Sequence, residues 1–218
     1  MMNATIGIIG GTGPAGRGVA VRLAKCGYAV SVGSRDAARA EAVVGAMVMP
    51  AEGSIRGVAN DEAANADVVI VATPWDSAVA TVKALREPLA GKVVISMVNA
   101  LVREGRELVP LYPSRGSMAA QLASTLPSSR IVGAFHHLPA AQMEDLESGL
   151  DADVVVFGDD AGAREIVADL VTAMPGLRGV VAGTMSLAGA VEAFTAVCVS
   201  INIRHKAHSY VKLEGLGH

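Results

Sequence analysis

Disulfides, metal centres and nucleic-acid surfaces have little to build on in this chain. Its two cysteines, Cys26 and Cys198, lie far apart and form no metal or redox spacing. They read as small core residues, and a reducing, cytoplasmic setting is the expectation. Aromatic residues are only 3% of the chain, so the core must be built from Val, Ala, Leu and Ile. Charged residues are 18%, the formal net charge is −3 and no basic run stands out, which argues against a nucleic-acid partner. The longest apolar stretches read as too short or too interrupted to span a membrane. The nearest candidate, Val191 to Ile203, contains Glu192 and runs into Arg204, His205 and Lys206. The first apolar run has no basic region before it and does not read as a signal peptide. The patterns of a Ser/His/Asp triad, a cysteine nucleophile, a metal-ligand cluster and a Tyr-x-x-x-Lys pair are missing as well.

What the chain does have is apolar bulk in a regular rhythm. Hydrophobic residues are 51% of 218, enough for one well-buried domain or a domain with a small appendage. Continuous Val/Ile runs predict strands at Thr5–Ile9, Ala29–Val32, Asp67–Ala72, Lys92–Ser96, Arg130–Ala134 and Asp153–Phe157. Runs without alternation suit strands buried on both faces. Between them, helical segments are expected at Gly16–Cys26, Asp36–Gly45, Ser77–Leu85, Ser117–Thr125 and Ala161–Thr172. This alternation predicts an α/β fold, a Rossmann-type, doubly wound, mostly parallel sheet. After Gly183, apolar residues at Val191, Phe194, Cys198 and Ile201 take up helical spacing. The expected division is a dinucleotide-binding domain over residues 1–135. A smaller C-terminal subdomain over 136–218 would extend the sheet and lay a helix across the cofactor cleft.

The first strand opens into Gly10-Gly11-Thr12-Gly13-Pro14-Ala15-Gly16, where Gly11, Gly13 and Gly16 spell G-x-G-x-x-G between a strand and a helix. The first glycine allows the tight turn, the second admits a pyrophosphate, and the third lets helix and strand pack closely. The helix N-terminus then offers free N–H groups to phosphate. Thr12 adds an N–H and a hydroxyl. The second strand ends in Val32-Gly33-Ser34-Arg35 rather than in the acidic residue that suits NAD. Ser34 can donate to a 2′-phosphate, Arg35 can pair with it, and Arg39 lies one helical turn on. NADP is therefore expected, with Asp36 read as a helix N-terminal residue. Thr73, Pro74 and Trp75 follow another strand and should flank the nicotinamide, Trp75 by contact or by packing beneath the loop.

For the second substrate the residues say less. His136 and His137 follow a buried strand at the end where ligands bind, one expected to face the cleft and the other packing or solvent. Taken together, the segments Gly10–Gly13, Val32–Arg35, Ser54–Gly57, Thr73–Trp75, Phe135–Ala141, Gly158–Asp160, Pro175–Arg178, Val191–Thr195 and Asn202–His208 resemble the F420-dependent NADP oxidoreductases. The resemblance implies hydride transfer between NADP(H) and the 5-deazaflavin coenzyme F420, and a homodimer or higher homo-oligomer. It also implies that Thr12, Ser34, Arg35 and Arg39 hold NADP. Ser54, His136 and the loop 183–187 with Ser186 would line the F420 pocket, His136 positioning the deazaflavin. That loop reads Gly-Thr-Met-Ser-Leu here, where the family usually has Gly-Pro-Leu-Ser-Asn. A reductase of a small imine or carbonyl compound, or a non-catalytic NADPH-binding module, stands beside this reading.

Overall fold

Strands of Val and Ile with no polar face can only sit where both faces are covered, and the fold is arranged around that requirement. In a computed structural model, which describes residues 4–147 and 149–216, the elements run in strict alternation at first. They are β1 (Thr5–Ile9), α1 (Pro14–Lys25), β2 (Ala29–Ser34), α2 (Ala37–Gly45), β3 (Ser54–Ala59), α3 (Asn60–Ala63), β4 (Val68–Val71), α4 (Trp75–Ala84), α5 (Arg86–Leu89) and β5 (Val93–Ser96). A hairpin of β6 (Leu101–Glu104) and β7 (Glu107–Pro110) interrupts the rhythm. Then follow α6 (Met118–Thr125), β8 (Arg130–Gly133), α7 (Ala140–Glu144), β9 (Ala152–Gly158), α8 (Ala161–Thr172), β10 (Leu177–Gly183), a 3-10 turn (Met185–Leu187) and α9 (Ala188–His205).

Eight strands form one sheet in the order β10-β9-β8-β5-β4-β1-β2-β3. All neighbours are parallel except β8 and β9, which meet at Val132↔Gly158 and Gly133↔Phe157. This is the mostly parallel, doubly wound Rossmann-type sheet that the apolar rhythm predicts. The chain reverses its direction of travel between β1 and β4, so their carboxyl ends open a crevice. One face buries Ile6, Ile8, Ile70, Ile95 and Val132 against α1 and α8. The other buries Ile9, Val69, Val71, Val94 and Ile131 against α4 and α6.

Four strands, β3, β6, β7 and β10, are not among those the sequence predicts. In β3 (SIRGVA), Arg and Gly interrupt the apolar run, because an edge strand needs less burial. The strand β10 is the opposite edge and is half exposed, and the β6–β7 hairpin is mostly exposed. Helix starts follow local chemistry. Pro14 opens α1, where its missing N–H costs nothing. The side chains of Asp36, Ser117 and Asp160 accept backbone N–H bonds at the starts of α2, α6 and α8.

The last helix joins both halves. With its leading turn it is 21 residues long and includes an 18-residue stretch of mean hydropathy 1.6, long and apolar enough by composition to cross a membrane, longer than sequence inspection suggested. Here it is docked by polar contacts. Glu192, 5% exposed, accepts the Met118 N–H at 2.7 Å and the Ala119 N–H at 2.8 Å, capping α6 from another helix. Burial pushes this carboxyl up to about 7 against the downward pull of those two bonds. A carboxyl raised from 4.5 favours the folded state while it is protonated. That contribution is lost as pH rises from about 4.5 to about 7, by up to about 3 kcal/mol. Denaturant titrations across that window should show wild-type stability falling relative to Glu192→Gln, which has no such slope.

Candidate functional site

Two cavities open along the carboxyl edge. The first, of about 520 Å³, is lined by Thr12, Gly13, Gly16, Ser34, Arg35, Arg39, Thr73 and Pro74, among others. The glycine loop that forms its floor is tightly determined. Gly10 takes φ +68°, and its N–H is held by Asn60 Oδ1 at 2.9 Å. Gly11 N–H donates to Gly33 O at 3.0 Å. A Cβ on Gly16 would lie 2.5 Å from Gly11 O, so helix and loop can approach only as glycines. A Cβ on Gly13 would meet nothing within 4 Å, which leaves the space above it free for a phosphate. Arg17 braces the loop from the side, donating to Thr12 O at 3.0 Å and pairing with Glu144 at 2.8 Å.

The end of β2 supplies the charge. Ser34 is buried, while Arg35 and Arg39 are exposed at the cavity rim and, among the described residues, make no ion pair. Asp36 is occupied as the α2 cap, accepting from Ala38 N at 3.0 Å. It therefore acts as a helix N-terminal residue. Thr73 Oγ1 is buried at the end of β4 without a hydrogen-bond partner. A buried hydroxyl left unmatched is costly unless a ligand completes it. Trp75 begins α4 at 38% exposure and is not among the lining residues.

The second cavity, of about 490 Å³, is lined by Met97, Asn99, His136, His137, Leu138, Thr195, Cys198 and His208, among others. Ala15, on the first turn of α1, lines both cavities. His136 is 6% exposed, stacks on Phe157 with ring centroids 5.4 Å apart, and has no partner at either ring nitrogen. Burial, with the neighbouring His137, lowers its pKa to about 3. His137 Nε2 instead meets Val191 O at 2.7 Å. Phe135, buried at 2%, holds φ +67°, an unusual left-handed conformation for a bulky residue at a strand end. This kink sets where His136 leaves β8. Asn99 Nδ2 (3.4 Å) and Thr195 Oγ1 (3.3 Å) both donate to His136 O and hold it there.

Two expected F420 residues are placed elsewhere. Ser54 opens β3 and pairs with Ala29 at the amino edge, beside Thr5, because parallel strands put their first residues opposite the glycine loop. Ser186 is exposed, with its hydroxyl 2.9 Å from Thr184 Oγ1, and is not among the residues lining either cavity. Its turn is drawn toward the α4/α6 layer, where Met185 packs, and Met185 N–H is tied to Asp159 Oδ1 at 3.0 Å. Conversely, Asn60, Arg17, Phe135, Asn99 and Thr195 carry the site geometry without any motif to announce them. Of these, Thr195 and Phe135 lie in segments that carry the family resemblance, and Asn99 is a residue that the resemblance keeps within Ser96–Ala100.

A family model described as NADP oxidoreductase coenzyme F420-dependent matches residues 5–100. The F420-dependent NADP reductase of Methanocaldococcus jannaschii is 34% identical over 93% of this chain and 94% of its own length. The chain belongs to the F420-dependent NADP reductase family. A second F420-dependent NADP reductase, from Methanothermobacter thermautotrophicus, is 29% identical over 94% of this chain and 91% of its own. A solved structure from Arthrobacter sp. FB24, assigned as an F420-dependent NADP reductase, superimposes with a TM-score of 0.78 at 25% identity. It covers 95% of this chain and 97% of that one.

The family's two cofactors fit what is here. The glycine cradle, the free arginines and the orphaned Thr73 hydroxyl suit a phosphorylated dinucleotide. The orphaned His136 ring, beside a mostly apolar cavity, suits a planar heterocycle with polar edges. With a pKa of about 3, His136 stays neutral throughout the ordinary working range. An NMR titration of its ring carbons should be flat between pH 5 and 8, whereas an exposed histidine moves through about 6.5.

Proposed function

We propose that this protein passes a hydride between NADP(H) and coenzyme F420 across the junction of its two cavities. The observation that carries the reading is Ala15, which lines both. Ligands in the two cavities would approach one another at Ala15, on the first turn of α1. When both are bound, the cofactors supply the hydride donor and acceptor. The chain supplies contact, orientation and exclusion of water.

Each residue then has a stated part. The N–H groups at the start of α1 hold the pyrophosphate above Gly13. Ser34, Arg35 and Arg39 hold the 2′-phosphate, with the arginines preorganised at the rim rather than spent on internal pairs. Thr73 Oγ1 bonds the cofactor near its reactive end, with Pro74 beside it. His136, neutral at pH 7, has one N–H to donate and one nitrogen to accept, so it orients the deazaflavin edge without changing charge. No acid–base pair is required beside it, because hydride transfer depends on stacking and distance.

In this reading residues 1–135 bind NADP and residues 136–218 complete the F420 cleft. The working protein is a cytoplasmic homodimer or higher homo-oligomer with small-molecule cofactors, not nucleic acid or membrane, as its partners. The net charge of −3 and the buried, hydrogen-bonded Glu192 on α9 support the last two points. The exposed apolar outer side of α9, with Phe194 and Val197 both 47% exposed, is the surface offered to a second copy.

Two variants separate the half-sites. Arg35→Ala should raise the NADP Kd by roughly 10- to 100-fold, about 1.5–3 kcal/mol, while leaving the weak NADH affinity unchanged. Fluorescence titration with both nucleotides measures this. His136→Ala should lower kcat/KM for F420 by at least about tenfold, roughly one lost hydrogen bond to the reacting ligand. Its NADPH Kd should stay near wild type. Equal loss of both would assign His136 to the fold instead.

A further inference from the structure

One wall of the His136 cavity is made of chain that has no secondary structure. Ala207, His208 and Ser209 line it, just past the left-handed Lys206 (φ +52°) that ends α9. These residues are tied at two points. At the near end Asn202 Oδ1 accepts both the N–H and the hydroxyl of Ser209, each at 2.7 Å. At the far end the tail meets the first residues of β9, in a cluster built around Asp153. The Asp153 side chain is fully buried, and Arg178 reaches it from β10 with a two-pronged fork, Nε at 2.7 Å and Nη2 at 2.8 Å.

The fork and carboxylate also grip the tail. Leu213 N–H donates to Asp153 Oδ2 at 2.5 Å, and Arg178 Nη2 donates to Leu213 O at 2.8 Å, so both polar groups of that residue are engaged. Asp153 N–H donates to Val211 O at 2.8 Å. Lys212 pairs with Asp151 on the outside. The Arg178 hydrogen bonds hold the Asp153 carboxyl below its usual range. Tyr210, partly buried against the core, supplies apolar contact between the two anchors. A buried carboxylate without its guanidinium is strongly unfavourable, so this cluster holds or fails as a unit.

We propose that the Asp153–Arg178 pair is a positioning element for the F420 half of the site. It buckles the C-terminal strap, residues 207–213, against β9 and so keeps one wall of the His136 cavity in place. Neither residue is among those lining that cavity; they act through the strap. The inference rests on the proposed use of that cavity by F420.

The test compares the 218-residue protein with Arg178→Met, which keeps the bulk of the side chain and loses the fork, with Arg178→Lys, and with a chain ending at Lys206. Steady-state kinetics with F420 and NADPH are read beside carboxypeptidase digestion without cofactors. Arg178→Met is expected to raise the F420 KM at least tenfold, with the NADPH KM within twofold, and to let the tail be trimmed where the wild type resists. Arg178→Lys, which keeps the charge but not the fork, should fall between. The shortened chain should show the same selective rise, and Arg178→Met should add nothing to it.

A tail equally protected in Arg178→Met would overturn the buckle. A trimmed or deleted tail with an unchanged F420 KM would overturn the wall. So would a further Arg178→Met loss in the shortened chain. If wild-type protein turns over no F420, the functional reading and the positioning role fail together, and digestion still decides whether the pair holds the strap.

Discussion

The ring of Phe157 occupies the space that a side chain at position 133 would fill. A Cβ on Gly133 would lie 2.0 Å from Phe157 Cζ, so the end of β8 must be bare for β9 to come alongside. With Gly158, where a Cβ would lie 2.6 Å from Ile131 O, this bare seam lets β9 pair antiparallel with β8 in a sheet whose other neighbours are parallel. It carries β9, β10 and everything after them into the same molecule as the glycine loop. The same Phe157 ring stacks on His136, with ring centroids 5.4 Å apart. The strained Phe135 backbone between Gly133 and His136 is held because its own side chain is buried in the core. The position of the imidazole is thus a packing result, and its neutrality follows from the same burial.

Polar contacts then align the second half over this junction. Along one side of α9, Glu192 caps α6, Val191 O meets His137, and Thr195 reaches Asn99 and the His136 carbonyl. A helix this apolar could slide or rotate on a greasy surface at little cost. Buried hydrogen bonds leave it one position, because each misplaced donor or acceptor would be unmatched. Three of the seven buried side-chain atoms left without a hydrogen bond among the described residues, Thr73 Oγ1 and both His136 nitrogens, belong to residues that line the two cavities.

The motif-bearing half of the site was legible because its chemistry is local. Gly11, Gly13 and Gly16 act within one turn, Ser34, Arg35 and Arg39 within one strand end and one helical turn, and all line or form a single floor. Elements with strong runs, such as VVIV and VVIS, were legible because burial on both faces leaves no other pattern. Edge strands such as β3 and β10 were not, since half-exposed positions tolerate Arg and Gly. The same limit explains Ser54 and Ser186. Their sequence neighbourhoods carry the family resemblance, yet strand direction and the packing of Met185 decide which way they face.

The order of apolar runs, the glycine spacing and the residues at the close of β2 determined the fold class, the tight glycine turn and the polar cavity rim of Ser34, Arg35 and Arg39. These are properties of neighbouring residues, set by steric freedom, period and charge. Only the tertiary structure decided that Asn60 pins Gly10, that Ala15 faces both cavities, that His136 is dry and unpartnered, and that the tail walls its cavity. Each of those depends on residues far apart in the chain meeting across a sheet, where burial and unmatched hydrogen bonds, rather than local spacing, set the outcome.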